Sequence, residues 1–170
     1  MALTQIIGSG ISGVTVPTFI AEADQFRLTA DITGETNPIS SNLERVDDAT
    51  FAKIGTGMSV SSGIFTFPST GLYLVKMFAV GNAILNDNVQ LTMHATQNNS
   101  TYDTVLVALE SGDNGTGSYS LSGETFINVT DTSNVKIKFQ ASSISSGSTL
   151  GGNSDQNETY FTFIKLGGSQ

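Results

Sequence analysis

The residues able to do chemistry are few and scattered. His94 is the only histidine, and the chain has no cysteine. A zinc site or a Cys–His nucleophile pair therefore lacks a second member within one chain. His94 also falls on the polar side of an alternating segment, Asn88 to Thr96, and reads as a surface histidine. Carboxylates concentrate at Asp47–Asp48, at Asp87 and between Asp155 and Glu158. Loop carboxylates and carbonyls are calcium ligands, but no calcium-loop spacing of the helix-loop-helix type occurs, and Asp and Asn are ordinary turn residues. Paired carboxylates for glycoside hydrolysis need a cleft that raises one pKa, and no residue pattern points to one. A Gly-x-Ser-x-Gly nucleophile context is also missing. The expectation is a non-enzymatic protein, with no catalytic residue, metal or cofactor.

The elements that carry these residues are strands. The chain has 170 residues with 18 Gly, only 13% of them charged. Thr, Val, Ile and Phe dominate the apolar runs, and no useful helical period occurs, so the reading is one all-β domain. The net charge of −8, with 7 basic residues that form no run, argues against nucleic acid and anionic membrane as partners. Lys136 and Lys138 share a strand face, but two lysines describe a solvated surface rather than a phosphate site. No apolar stretch approaches the roughly 20 residues of a membrane helix, and the N-terminus lacks the basic region of a secretory signal.

Along the chain, residues 1–24 differ from the rest. Ile6, Ile7, Ile11, Val14 and Val16 are spaced by Gly and Ser, too apolar for a solvated tail and too Gly-rich for a helix. The segment reads either as an extended arm that orders on another subunit or scaffold, or as an extra edge strand of its own domain. Residues 25–166 form the domain proper and 167–170 a short tail. Gln25 to Thr33 alternates cleanly, with Arg27 on its polar side. Asn88 to Thr96 and Asn134 to Ala141 also alternate, each with one wet face. Ser142 to Asn157 has the composition of a flexible exposed loop, and Tyr102 and Tyr119 are the plausible exposed loop aromatics.

The organising stretch is Gly63 to Val80, two strands flanking a Pro-Ser-Thr-Gly turn. In Leu72 to Val80 one face carries Tyr73, Val75, Met77 and Ala79. The other carries Leu72, Leu74, Phe78 and Val80, interrupted only by Lys76. The last strand, Thr159 to Leu166, shows Tyr160, Ile164 and Leu166 on one face and Phe161 and Phe163 on the other. Strands apolar on both faces must be covered on both sides. Roughly eight to ten short strands at sandwich-like spacing, of which one set is wet outside and the other apolar throughout, imply a second sheet with an external cover. The simplest cover is a copy of the same subunit. Tyr73, Val75, Met77, Tyr160, Phe161 and Phe163 are accordingly expected in the core or at a subunit contact.

The pattern Gly63-x-Phe65-x-x-Pro68-x-x-Gly71-x-Tyr73 resembles the signature of the globular head of the complement first component, its q subcomponent. That family shares the trimeric jelly roll of the tumour-necrosis-factor ligands. The closing strand, Thr159 to Leu166, is similar to the final aromatic strand of the same fold. The resemblance implies a two-sheet jelly roll over about Asp24 to Leu166, packed against neighbours around a threefold axis. A narrower resemblance, carried by the opening MALTQI, by Asn128 to Ser133 and by Thr162 to Gly167, is to small structural proteins of tailed phages of marine bacteria. It implies a virion location, a trimeric capsid decoration or fibre head, capsid or fibre proteins as partners, and residues 1–24 as the attachment segment. A recognition module that binds a host-surface glycan or receptor through the loops at one end of the trimer is the alternative.

Overall fold

The computed structural model describes residues 20–111, 116–145 and 147–170. The residues of the N-terminal segment singled out above, Ile6, Ile7, Ile11, Val14 and Val16, lie outside the described residues.

Twelve strands and no helix make up the described residues. They run β1 (Ala23–Leu28), β2 (Ala30–Ile32), β3 (Leu43–Arg45), β4 (Ser59–Ser61), β5 (Ile64–Thr66), β6 (Gly71–Ala83), β7 (Asn88–Thr96), β8 (Asp103–Ser111), β9 (Gly117–Val129), β10 (Lys136–Ser142), β11 (Thr149–Asn153) and β12 (Tyr160–Gly167). One sheet has seven strands in the order β2-β11-β6-β12-β1-β3, with β9 on the free side of β6. The other has five, in the order β4-β5-β10-β7-β8. Every pairing is antiparallel. The two sheets face each other as a sandwich, so side chains alternate between a shared core and an outer face.

The core is held by aromatic residues from both sheets. Phe139 of β10 stacks on Phe161 of β12 at 3.8 Å between ring centroids. Phe65 of β5 lies 5.3 Å from Phe26 and 5.2 Å from Phe163. Around them pack Leu91 and Met93 of β7, Val75 and Met77 of β6, and Ile137 of β10, all at most 1% exposed.

The Pro-Ser-Thr-Gly turn does not close a hairpin. It carries the chain from β5 in the five-stranded sheet to β6 in the seven-stranded one. The Tyr73 hydroxyl donates to the Ser69 carbonyl at 3.0 Å, and Lys165 Nζ donates to Ser69 Oγ at 3.0 Å. These bonds fasten the crossover to the last strand. Gly63, just before β5, has φ 76°, and a Cβ there would overlap the Ile39 carbonyl, so glycine is required twice over.

Three features differ from expectation. Ala23 and Asp24 belong to β1 rather than to a preceding arm: Asp24 is 3% exposed, accepting from Arg45 Nε at 2.9 Å and from the Met58 amide at 2.7 Å. The segment Ser142 to Asn157 is no open loop, because β11 runs through it and Leu150 is fully buried. Tyr119 is buried too, its hydroxyl donating to the Thr149 carbonyl at 2.7 Å; burial, with the nearby Asp31 charge, pushes its pKa up.

Candidate assembly face

The site worth building is the outer face of the seven-stranded sheet. Residues directly opposite in register share a face, so the pairings define rows that cross β9, β6, β12, β1 and the chain beyond. The first row is apolar from end to end: Phe126, Leu74, Ile164, Ala23 and Ile54. Phe126 is 63% exposed and Ile54 44%, while the three between are half-buried. Leu72 and the exposed Leu166 flank this row at one end of the sheet.

The second row is polar: Glu124, Lys76, Thr162 and Gln25. Its members are partnered within the subunit. Lys76 Nζ lies 3.2 Å from Glu124 Oε2, and Gln25 Nε2 donates to Thr162 Oγ1 at 2.7 Å.

The third row reads Ser122, Phe78, Tyr160, Arg27 and Glu44. Phe78 and Tyr160 stack at 5.1 Å. Between this stack and the Lys76–Glu124 pair the small residues Ser122 and Gly123 leave a hollow of about 180 Å³.

Arg27, next to Tyr160 in the third row, is 1% exposed despite its place in a polar alternation. Its guanidinium donates to Glu44 at 2.6 Å, Asp47 at 2.7 Å and Asp48 at 2.8 Å. Burial pushes its pKa down, but the hydrogen bonds and charges of Glu44 and Asp48 outweigh that and raise it. The Asp47–Asp48 pair is thus occupied by a cation from its own chain. Among the described residues no group of three or more His, Cys, Asp or Glu gathers as a metal site.

The core-or-contact residues separate into two sets. Tyr73, Val75, Met77, Phe161 and Phe163 point into the subunit core, at most 1% exposed. Burial raises the Tyr73 pKa, against the hydrogen bonds to Ser69. Tyr160 stands on the outer face. The face itself is carried by side chains that sequence reasoning placed on the opposite side of the same strands, Leu72, Leu74, Phe78, Val80, Ile164 and Leu166. Phe126 and Ile54 were not singled out, although the alternation of Tyr119 to Val129 sets Phe126 apart from Ile127 and Val129.

The five-stranded sheet presents a different outside. His94, Lys138 and Gln140 project from it, with His94 Nε2 2.9 Å from Gln140 Oε1 and Nδ1 3.2 Å from Thr104 Oγ1. Burial lowers the His94 pKa, a hydrogen bond with Gln140 partly opposes this, and the Lys138 charge adds to it. Lys138 lies over the Tyr102 ring at 4.9 Å. At the edge of this sheet, β8 exposes Val105, Val107 and Leu109 at 40%, 50% and 54%. The edge strands β8 and β9 lie side by side across the sandwich, with the Leu106 side chain under Gly123.

Solved structures similar to this chain include murine APRIL at pH 5.0, with a TM-score of 0.63 and 12% identity over 85% of this chain and 98% of that one. Eiger TNF from S. frugiperda matches with a TM-score of 0.66 and 14% identity, over 87% of this chain and 94% of that one. At such identities the likeness is one of fold: the chain is an all-β sandwich with the jelly roll of the tumour-necrosis-factor type. No known protein-family description matches the sequence, and no curated protein matches it.

Proposed function

We propose that this chain is a non-enzymatic structural subunit that assembles as a homotrimer, with the outer face of its seven-stranded sheet turned towards its copies. The observation that carries the reading is the apolar first row, which runs across β9, β6, β12 and β1 to Ile54 with no charge in it. Contiguous apolar surface of this kind marks an interaction site. The fold adds support, since the resemblance in the sequence is to trimeric jelly rolls.

Charge supports a copy of the same chain as the occupant. The chain carries a net −8, which opposes random self-association. Across the first two rows of this face, however, Lys76 neutralises Glu124, so copies meeting there bring little net charge together. The apolar face and the apolar strip of Val105, Val107 and Leu109 on the edge strand β8 are different surfaces. A contact of edge against face is heterologous, and heterologous contacts close into rings when the rotation allows.

The virion role belongs to the same proposal and rests on the sequence resemblances at MALTQI, Asn128 to Ser133 and Thr162 to Gly167. In it the trimer decorates a phage capsid or forms a fibre head, attached through the N-terminal segment. The glycan-binding alternative drew on an open loop from Ser142 to Asn157, and β11 (Thr149–Asn153) takes the middle of that segment into the sheet.

Sedimentation velocity at micromolar concentration tests the assembly, with a trimer expected and a stable monomer fatal to it. Deleting residues 1–19, which spares the buried Asp24, tests the attachment. A trimer that no longer enters particles is expected, and undiminished incorporation overturns that part.

A further inference from the structure

We propose that the polar row containing Lys76 and Glu124 sets the register and order of the assembly, acting as a specificity strip between the apolar first row and the Phe78–Tyr160 stack of the third. The inference rests on the homotrimer reading above and goes further by naming the residues that choose one arrangement of copies over its neighbours.

The argument begins with spacing. Rows on one face of a strand repeat every two residues, about 7 Å apart. The first row is apolar and the third carries the Phe78–Tyr160 stack. If only the first row and that stack existed, copies shifted from one to the other would present apolar surface to apolar surface at similar free energy. The second row removes that degeneracy. Lys76 and Glu124 are 50% and 56% exposed in the subunit, so each keeps hydrogen-bonding capacity directed outward. When the polar rows of neighbouring copies lie at one level, that capacity is met by like rows and by water between them. When a copy slips by a row, the pair is pressed against Leu74 and Phe126, or against Phe78 and Tyr160, and its remaining donors and acceptors are stranded.

The pair is suited to this role because it costs little in the correct register. Both charges are already partnered at 3.2 Å within one chain, so the strip enters the interface neutral. A single polar position in an apolar seam is the best-attested device for fixing register and oligomer state. Here the strip spans Glu124, Lys76, Thr162 and Gln25, the latter two joined by their own hydrogen bond.

The test compares the wild-type chain with K76M/E124M, with the reversed pair K76E/E124K, and with K136M/K138M, which adds methionines to the wet sheet. Native mass spectrometry and sedimentation velocity read the distribution of orders, and circular dichroism checks that each variant is folded. The wild type, K76E/E124K and K136M/K138M are expected to give a single trimeric species. K76M/E124M is expected to associate at least as tightly but to spread into other orders beside the trimer. A single trimeric species from K76M/E124M overturns the inference, as does equal spreading in K136M/K138M, which would trace the effect to general stickiness. Spreading in the reversed pair overturns it as well. A monomeric wild type overturns the assembly reading itself, an outcome distinct from all of these.

Discussion

Truncating Phe126 to alanine separates the assembly face from the core more sharply than any other single change. A phenylalanine side chain buries about 200 Å² when fully covered. With Phe126 63% exposed in the subunit, about 125 Å² remains for a neighbour to cover, about 3 kcal/mol at ~25 cal/mol per Å². Alanine retains part of that, which leaves a loss of about 2 kcal/mol per contact, or about 30-fold in its equilibrium constant. A closed ring of three has three such contacts, and with additive losses the trimer as a whole loses about 6 kcal/mol. The subunit itself should change by less than about 0.5 kcal/mol, as exposed positions do.

The assay is sedimentation equilibrium over a wide concentration series, paired with urea unfolding at a concentration where the variant is monomeric. Phe126→Ala should shift the monomer–trimer midpoint to much higher concentration without changing the unfolding of the monomer. An unchanged midpoint would show that this row is not covered in the assembly. A monomer weakened by several kcal/mol would show that Phe126 belongs to the core, and the face assignment would be reversed.

Phe163→Ala, at 1% exposure and beside Phe65 and Phe26, should cost about 3–5 kcal/mol of subunit stability, and unchanged urea unfolding would refute its core placement. Gly63→Ala places a Cβ against the Ile39 carbonyl at φ 76° and should cost more than ~1 kcal/mol, read as a lower melting temperature; melting equal to wild type would refute the strain. His94 has its folded pKa below the ordinary 6.5 because burial disfavours the charged ring. The unfolded chain then binds the proton first, so this contribution is intact above pH ~6.5 and falls away as the pH drops from there to the folded pKa. His94→Gln should flatten the pH dependence of melting within that window, and an unaltered profile would refute the assignment.

Several elements were legible from residue types alone. Asn88 to Thr96 alternates without interruption and is β7 residue for residue. The tracts that became β6, β10 and β12 differ from their strands only at the ends. β11 was not legible: its sequence, TLGGN, has no alternation and two glycines. It is a strand because Leu150 enters the core and pairs with Ile32 on one side and Gly81 on the other. A Cβ at Gly152 would overlap the backbone of Ala30, so the same glycines that hide the strand permit its close pairing. Arg27 was equally opaque. Its alternation puts it outside the core, correctly, but its burial comes from Glu44, Asp47 and Asp48, which arrive through β3 and the loop after it.

The alternation of Leu72 to Val80 and of Tyr160 to Leu166 already called for cover on both sides of one sheet, which is the basis of the proposed assembly. That follows from period two and side-chain type, which are properties of the residues in order. Which face looks inward was decided only by the fold. Tyr73, Val75, Met77 and Ala79 are as apolar as Leu72, Leu74, Phe78 and Val80, and a period of two distinguishes faces without orienting them. Orientation comes from the opposing sheet, where Phe65 and Phe139 meet Phe161 and Phe163. The core thus takes one face of β6, and the other, with Phe126 at its rim, is the outer face on which the proposed assembly rests.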